Sequence, residues 1–279
     1  MNLHQLLSPR LRERSELLDQ IVAIVEADLN VRAAWLSGSV SRGDDDALSD
    51  LDLSVVVSDE SIGELVDRRR TYAAQPAFPV LLMDNLANAP VDGAYLLAFY
   101  PGEAGPQHVD WFWQPESGAK IPDDERVLFN KTGLPLMSGD DWRRQSNRPL
   151  GPPLAADAPL GEQLTQKITF FWAMSIIAAK YIARRDGETF GRMTRVIART
   201  LSEAAQLSGL GELHLGTDDV SVADSASAGA EKQFEVLDGL ASDAEELGGH
   251  LVERGAVLPA AAIAQIYSFF ELTKSMVVR

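Results

Sequence analysis

Between Leu11 and Leu29 the apolar residues Leu18, Ile21, Val22 and Val25 recur three and four apart among charged neighbours, and this spacing predicts an amphipathic opening helix. The pattern then shortens. Ala33 to Ser37 and Leu51 to Val57, the second rich in β-branched residues, read as strands on either side of a polar loop that runs from Gly38 to Ser49. Ser61 to Ala74 reads as helix. Pro79 to Met83, Ala94 to Tyr100, His108 to Trp113 and Arg126 to Asn130 are apolar runs set apart by Pro, Gly, Asn and Asp, each a strand. Helix and strands alternating in this way imply a mixed-sheet domain ending near residue 145.

Pro149, Pro152, Pro153 and Pro159 follow within a dozen residues, a density that no regular element survives, so the stretch from Arg148 reads as a linker. Long helical patterns come next, over Leu160 to Arg184, Thr189 to Ser208, Ala230 to Leu247 and Ala260 to Met276. The expected fold class is α+β: a mixed-sheet domain over 1–147 and an all-helical bundle over 158–279. Gly211 to Gly229, dominated by Ser, Ala and Asp, is the longest irregular connection expected, and no internal repeat is evident.

Composition narrows the chemistry. The 279 residues include 25 Lys plus Arg against 41 Asp plus Glu, a net charge of -16, which disfavours a protein that grips long stretches of phosphate backbone. With no cysteine, thiolate catalysis, zinc–thiolate sites and disulfides are excluded. The opening residues carry Arg10, Arg12, Glu13, Arg14 and Glu16 before any apolar core of signal-peptide length, so a cytoplasmic location is expected. Ile168 to Ala179, the most apolar run, falls short of the roughly 20 residues that cross a bilayer and reads as a buried helix.

The chemistry-bearing stretch is Gly38-Ser39-Val40-Ser41-Arg42-Gly43, five residues, then Ser49-Asp50-Leu51-Asp52-Leu53. Asp50 and Asp52, two apart at a strand start, leave the same face while Leu51 and Leu53 anchor in the core. Two carboxylates so placed repel each other unless a cation sits between them, and oxygen-only ligands favour Mg²⁺ or Mn²⁺. Gly38 lets backbone N–H groups approach a phosphate, Ser39 adds a hydroxyl and Arg42 a planar cationic fork. Anion donors beside paired carboxylates suit phosphoryl or nucleotidyl transfer.

This string resembles the signature of the DNA polymerase β-like nucleotidyltransferase superfamily, in the form found in its minimal and small-molecule antibiotic nucleotidyltransferase branches. Gly38, Ser39, Arg42, Gly43, Ser49, Asp50, Asp52 and Leu53 match as they stand, over a resemblance that spans roughly residues 15 to 140. It implies that Asp50 and Asp52 bind two Mg²⁺ ions, and that Asp110 completes the shell and helps deprotonate the acceptor. Gly38, Ser39, Arg42 and Ser49 would contact the nucleotide, and Lys167 and Lys180 are the basic residues expected to reach the triphosphate from the helical half. The implied reaction transfers a nucleoside monophosphate, AMP from ATP or its equivalent from another triphosphate, to a hydroxyl of a small acceptor of aminoglycoside or lincosamide type, as in antibiotic resistance. No long nucleic acid or membrane partner is implied, and a homodimer is admitted. The rivals are an antitoxin-like or protein-AMPylating enzyme, a catalytically retired domain that binds nucleotide or a partner, and a CCA-adding or poly(A)-type polymerase.

Blander readings stand beside these. Asp44, Asp46, Asp50 and Asp52 fail as a calcium loop, because Leu48 and Ser49 fall where such a loop needs Asp or Asn and then Gly. A phosphate-binding loop of the Gly-x-x-x-x-Gly-Lys type is missing. Trp111, Phe112 and Trp113 read as core more than as a base-stacking platform. His4, His108, His214 and His250 show no metal-ligand spacing, and His108 is only a neighbour of the site. Lys167, Lys180, Arg184, Arg185, Arg192, Arg195 and Arg199 crowd the first two predicted helices of the second half, whereas Glu203 to Glu253 holds 12 acidic residues and a single Lys. Either a solvated face or a site for a cationic acceptor accounts for the acidic half.

Overall fold

The computed structural model describes residues 3–138, 158–210 and 225–277. Most of the expected linker and most of Gly211 to Gly229 lie outside them. The chain is α+β, an N-terminal mixed sheet followed by helices, and it divides into two compact units, residues 4–149 and 150–279.

The first unit opens with α1 (Leu3–Ala27), then β1 (Val31–Ser37), the single-turn α2 (Gly38–Arg42), β2 (Leu51–Val57), α3 (Ile62–Asp67) and α4 (Arg69–Ala73). It continues with β3 (Leu81–Asp84), β4 (Ala94–Tyr100), β5 (Gln107–Pro115), β6 (Ile121–Pro122), β7 (Arg126–Asn130) and β8 (Leu136–Met137). Six strands form one sheet in the order β3-β4-β5-β2-β1-β7. Its pairs are antiparallel except β2 with β5, which run parallel. The expected helix over Ser61 to Ala74 is two short ones, because Arg68 leaves helical geometry at φ -100°, ψ 12°.

Strand alternation sorts the side chains. Leu51, Leu53, Val55 and Val57 of β2 join Val109, Trp111 and Trp113 of β5, and Leu96, Ala98 and Tyr100 of β4, in one core against Leu17, Ile21 and Val25 of α1. Trp111 and Trp113 stack at 5.3 Å between centroids and are buried, as expected of core aromatics. The opposite face of the same strands therefore carries Asp52, His108, Asp110 and Phe112.

The second unit is helical: α5 (Leu160–Ala183), α6 (Gly187–Ser208), α7 (Ala230–Glu253) and α8 (Ala260–Val277). The apolar run Ile168 to Ala179 is the buried middle of α5, which packs on each of the other three. Asp186 caps α6 by accepting a hydrogen bond from the Thr189 N–H at 3.0 Å. No helix among the described residues is long and apolar enough to cross a membrane.

Candidate active site

Asp52 and Asp110 are register partners across the parallel β2–β5 pair, as are Leu51 and Val109. Because side chains alternate, Asp50 and Asp52 leave the sheet on the face that also receives His108 and Asp110. Asp50 and Asp110 are partly buried, with side chains 27% and 14% exposed, whereas the His108 side chain is 4% exposed. One ligand atom from each of Asp50, His108 and Asp110 lies within 4.8 Å of the others.

His108 binds this group together. Its Nε2 lies 3.0 Å from Asp110 Oδ1, in hydrogen-bond geometry, and its Nδ1 lies 3.2 Å from Asp50 Oδ2 without the alignment of a hydrogen bond. Phe99, its register partner on β4, meets the imidazole edge-on at 5.0 Å. Burial works to lower the His108 pKa, but the Asp110 and Asp50 carboxylates outweigh it and raise the pKa to about 9. Asp110 Oδ1 also accepts a 2.5 Å hydrogen bond from the Tyr95 hydroxyl. Burial first, and then the Asp110 charge, hold the Tyr95 phenol well above its ordinary pKa. Both bonds use Oδ1, so Oδ2 holds the remaining acceptor capacity of Asp110.

The glycines of the Gly-Ser stretch have conformational reasons. Gly38 adopts φ +73°, and a Cβ there would collide with Asp52 Oδ2, so the backbone at the start of α2 lies directly against that carboxylate. Gly43, at φ +72°, closes α2 by donating its N–H to Ser39 O. The Ser39 hydroxyl has no hydrogen-bond partner among the described residues. Arg42 is half exposed and pairs with Asp44 at 3.3 Å. Ser49 is buried, its hydroxyl donating to Asp46 Oδ1 and accepting from the Asp46 N–H, each at 3.1 Å.

Two arginines of α1 hold the loop that presents Asp50. Arg10, buried, donates to the carbonyls of Ala47 (2.8 Å), Gly105 (2.9 Å) and Pro106 (2.8 Å), joining the loop before β2 to the turn before β5. Burial lowers its pKa to about 10, so it stays cationic at neutral pH. Arg14 donates to the carbonyls of Asp46 (2.7 Å) and Ser49 (3.1 Å) and pairs with the Asp45 carboxylate.

Of the residues named from sequence, the sheet unit brings Gly38, Asp50, Asp52 and Asp110 together on one face. Arg42 is turned to Asp44, and Ser49 serves the loop. Lys167 and Lys180 are buried in the helical unit, Lys167 bonded to Glu203 at 2.7 Å. Sequence reasoning passed over His108, Tyr95, Arg10 and Arg14. His108 stands two residues before Asp110 on one strand, a spacing that already puts both on one face. Neither a scan against protein-family models nor a search of curated proteins finds a match for this chain.

Proposed function

We propose that this protein is a metal-dependent nucleotidyltransferase that moves a nucleoside monophosphate, AMP from ATP in the first instance, to a hydroxyl of a small acceptor of aminoglycoside or lincosamide type. The observation that carries this reading is the convergence of Asp50, Asp52 and Asp110 on one face of the parallel β2–β5 pair, with the Gly38 backbone against Asp52. The Gly-Ser and Asp-x-Asp resemblance to the polymerase β-like superfamily supports it, and ATP supply suits a cytoplasmic protein.

The residues fit a divalent cation, since Asp50, His108 and Asp110 each bring one ligand atom to within 4.8 Å of the others and Asp52 leaves the sheet on the same face. Asp50, Asp52 and Asp110 would hold Mg²⁺, which when bound neutralises triphosphate charge and polarises the α-phosphate. The chain's own groups do the rest. Backbone N–H groups after Gly38 and the unengaged Ser39 hydroxyl face phosphate oxygens, and Asp110 takes the acceptor proton on Oδ2 while Tyr95 and His108 hold Oδ1 in place. The acceptor oxygen attacks the α-phosphorus and pyrophosphate leaves, with no covalent intermediate on the protein.

One observation favours a second reading, a retired nucleotide- or partner-binding domain: the His108 imidazolium already neutralises Asp50 and Asp110 from within. Incubation with labelled ATP, GTP, CTP and UTP, Mg²⁺ and a panel of hydroxylated antibiotics separates the two. A mass increment of one nucleoside monophosphate on an acceptor supports transfer. Nucleotide binding with no product from any pairing overturns it in favour of the retired domain.

A further inference from the structure

We infer that His108 is a metal ligand through Nδ1, which makes the site beside Asp50 a mixed nitrogen–oxygen centre selective for a first-row transition ion such as Mn²⁺ or Co²⁺ over Mg²⁺. The inference deepens the proposed function and rests on it for the presence of a divalent ion at this face.

Three observations converge on Nδ1. It is a buried polar atom without a hydrogen-bond partner, on a side chain 4% exposed and aimed among carboxylates. Buried polar atoms are paired in folded proteins almost without exception, and Nδ1 has only a poorly aligned ion-pair contact with Asp50, which leaves place for a better partner. Its distance to Asp50 Oδ2 is 3.2 Å. Imidazole nitrogen and carboxylate oxygen each bind such ions at about 2.0–2.2 Å, and two neighbouring ligands at right angles on one ion then stand roughly 3 Å apart. The pair already has the separation of two ligands on one centre.

The far side of the ring is built for the same task. Nε2–H donates to Asp110 Oδ1, itself clamped by Tyr95, and Phe99 holds the ring edge. A carboxylate on the second nitrogen sets the tautomer that leaves the first nitrogen's lone pair free, and it raises the basicity of that nitrogen, as supporting carboxylates do at metal-bound histidines. Imidazole is a better ligand for the borderline transition ions than for Mg²⁺, which holds to oxygen, and this sets the direction of selectivity.

The test uses the full-length protein with Mn²⁺ and Mg²⁺ alone, without nucleotide. Pulsed electron paramagnetic resonance of the Mn²⁺ complex should show a directly bound ¹⁴N, replaced by a ¹⁵N coupling when histidine is ¹⁵N-labelled, and lost in His108→Gln. Calorimetric titration should find Mn²⁺ tighter than Mg²⁺, and His108→Gln should weaken Mn²⁺ binding by at least about tenfold, the low end of what even a supporting partner of a metal-bound histidine is worth, so that the preference shrinks. Bound Mn²⁺ without nitrogen coupling, or an unchanged preference in the variant, overturns the inference and leaves the nucleotidyl-transfer reading standing. Failure of wild type to bind either ion overturns the inference, and the transfer assay with nucleotide and acceptor decides the proposed function separately. The labelled wild-type spectrum decides the matter even if His108→Gln does not fold.

Discussion

The Asp52 carboxylate covers the side of Gly38 on which any other residue would carry its Cβ, so the two positions are coupled through direct contact. The contact ties the turn at the start of α2 to the Asp52 carboxylate. It makes the glycine a matter of space as well as of backbone conformation.

Gly38→Ala should therefore damage the site twice. The left-handed backbone costs roughly 1–2 kcal/mol with a side chain present, and Asp52 must swing away. A displacement near 1 Å at reacting groups is worth about a hundredfold in rate, so product formation should fall by at least that factor. Product quantified by mass spectrometry, beside a melting curve, checks both parts, and full turnover in the variant would break the link between turn and carboxylate.

Asp50→Asn and Asp52→Asn should each abolish transfer with the fold intact. Sequence alone suggests that relieving carboxylate repulsion stabilises the metal-free protein. The structure reverses that sign for Asp50, because the neighbour facing it is the His108 imidazolium and not only another carboxylate. Metal-free Asp50→Asn should melt at or below the wild-type temperature in calorimetry near pH 7. A higher melting temperature would show that repulsion still dominates.

Asp110→Ala should slow turnover by at least about a hundredfold, the low end for loss of a general base, with a smaller effect on nucleotide affinity. Tyr95→Phe leaves the carboxylate in place and removes one of the two bonds on Oδ1. Hydrogen bonds to charged groups contribute about 1.5–3 kcal/mol, and the loss should appear in urea denaturation together with reduced turnover. A Tyr95→Phe protein of wild-type stability and rate would remove that residue from the site.

The helical unit offers a pH test at its own scale. The Thr189 N–H lowers the pKa of the partly exposed Asp186 cap, so its contribution is present above the ordinary carboxylate range and is lost as pH falls through the lowered value. Asp186→Ala should destabilise by about 1 kcal/mol at pH 7. The difference between Asp186→Ala and wild type should shrink below pH 3.8, followed by thermal melts across pH. A gap that persists in acid would mean that the cap does not act through its charge.

How far the sequence could be read depended on the range of the interactions. β2, β4 and β7 have the bounds that their apolar runs suggest, since alternation and turn residues are local signals. β6 and β8, paired over two residues each, carry no periodicity to detect. Asp50 and Asp52 were legible from spacing alone, but the proximity of Asp110 depends on β5 lying parallel beside β2, which no local pattern states. His108 could have been placed on the same face by its spacing from Asp110, but the Asp50 carboxylate that it meets lies 58 positions earlier in the chain. Arg10 reaches residues 37 and 95 positions away, so it read simply as an early charge.

The Arg10 and Arg14 anchors bear on where the entropy of ordering falls. A polar loop of this kind, left to itself, would fluctuate, and any ligand that needed Asp50 in one place would have to immobilise it at some cost in affinity. Here a helix at the start of the chain holds the loop's carbonyls from beneath, so that ordering belongs to folding and not to ligand capture. Loosening the anchors, with every carboxylate untouched, should thus lower affinity at the site through a lost head start alone.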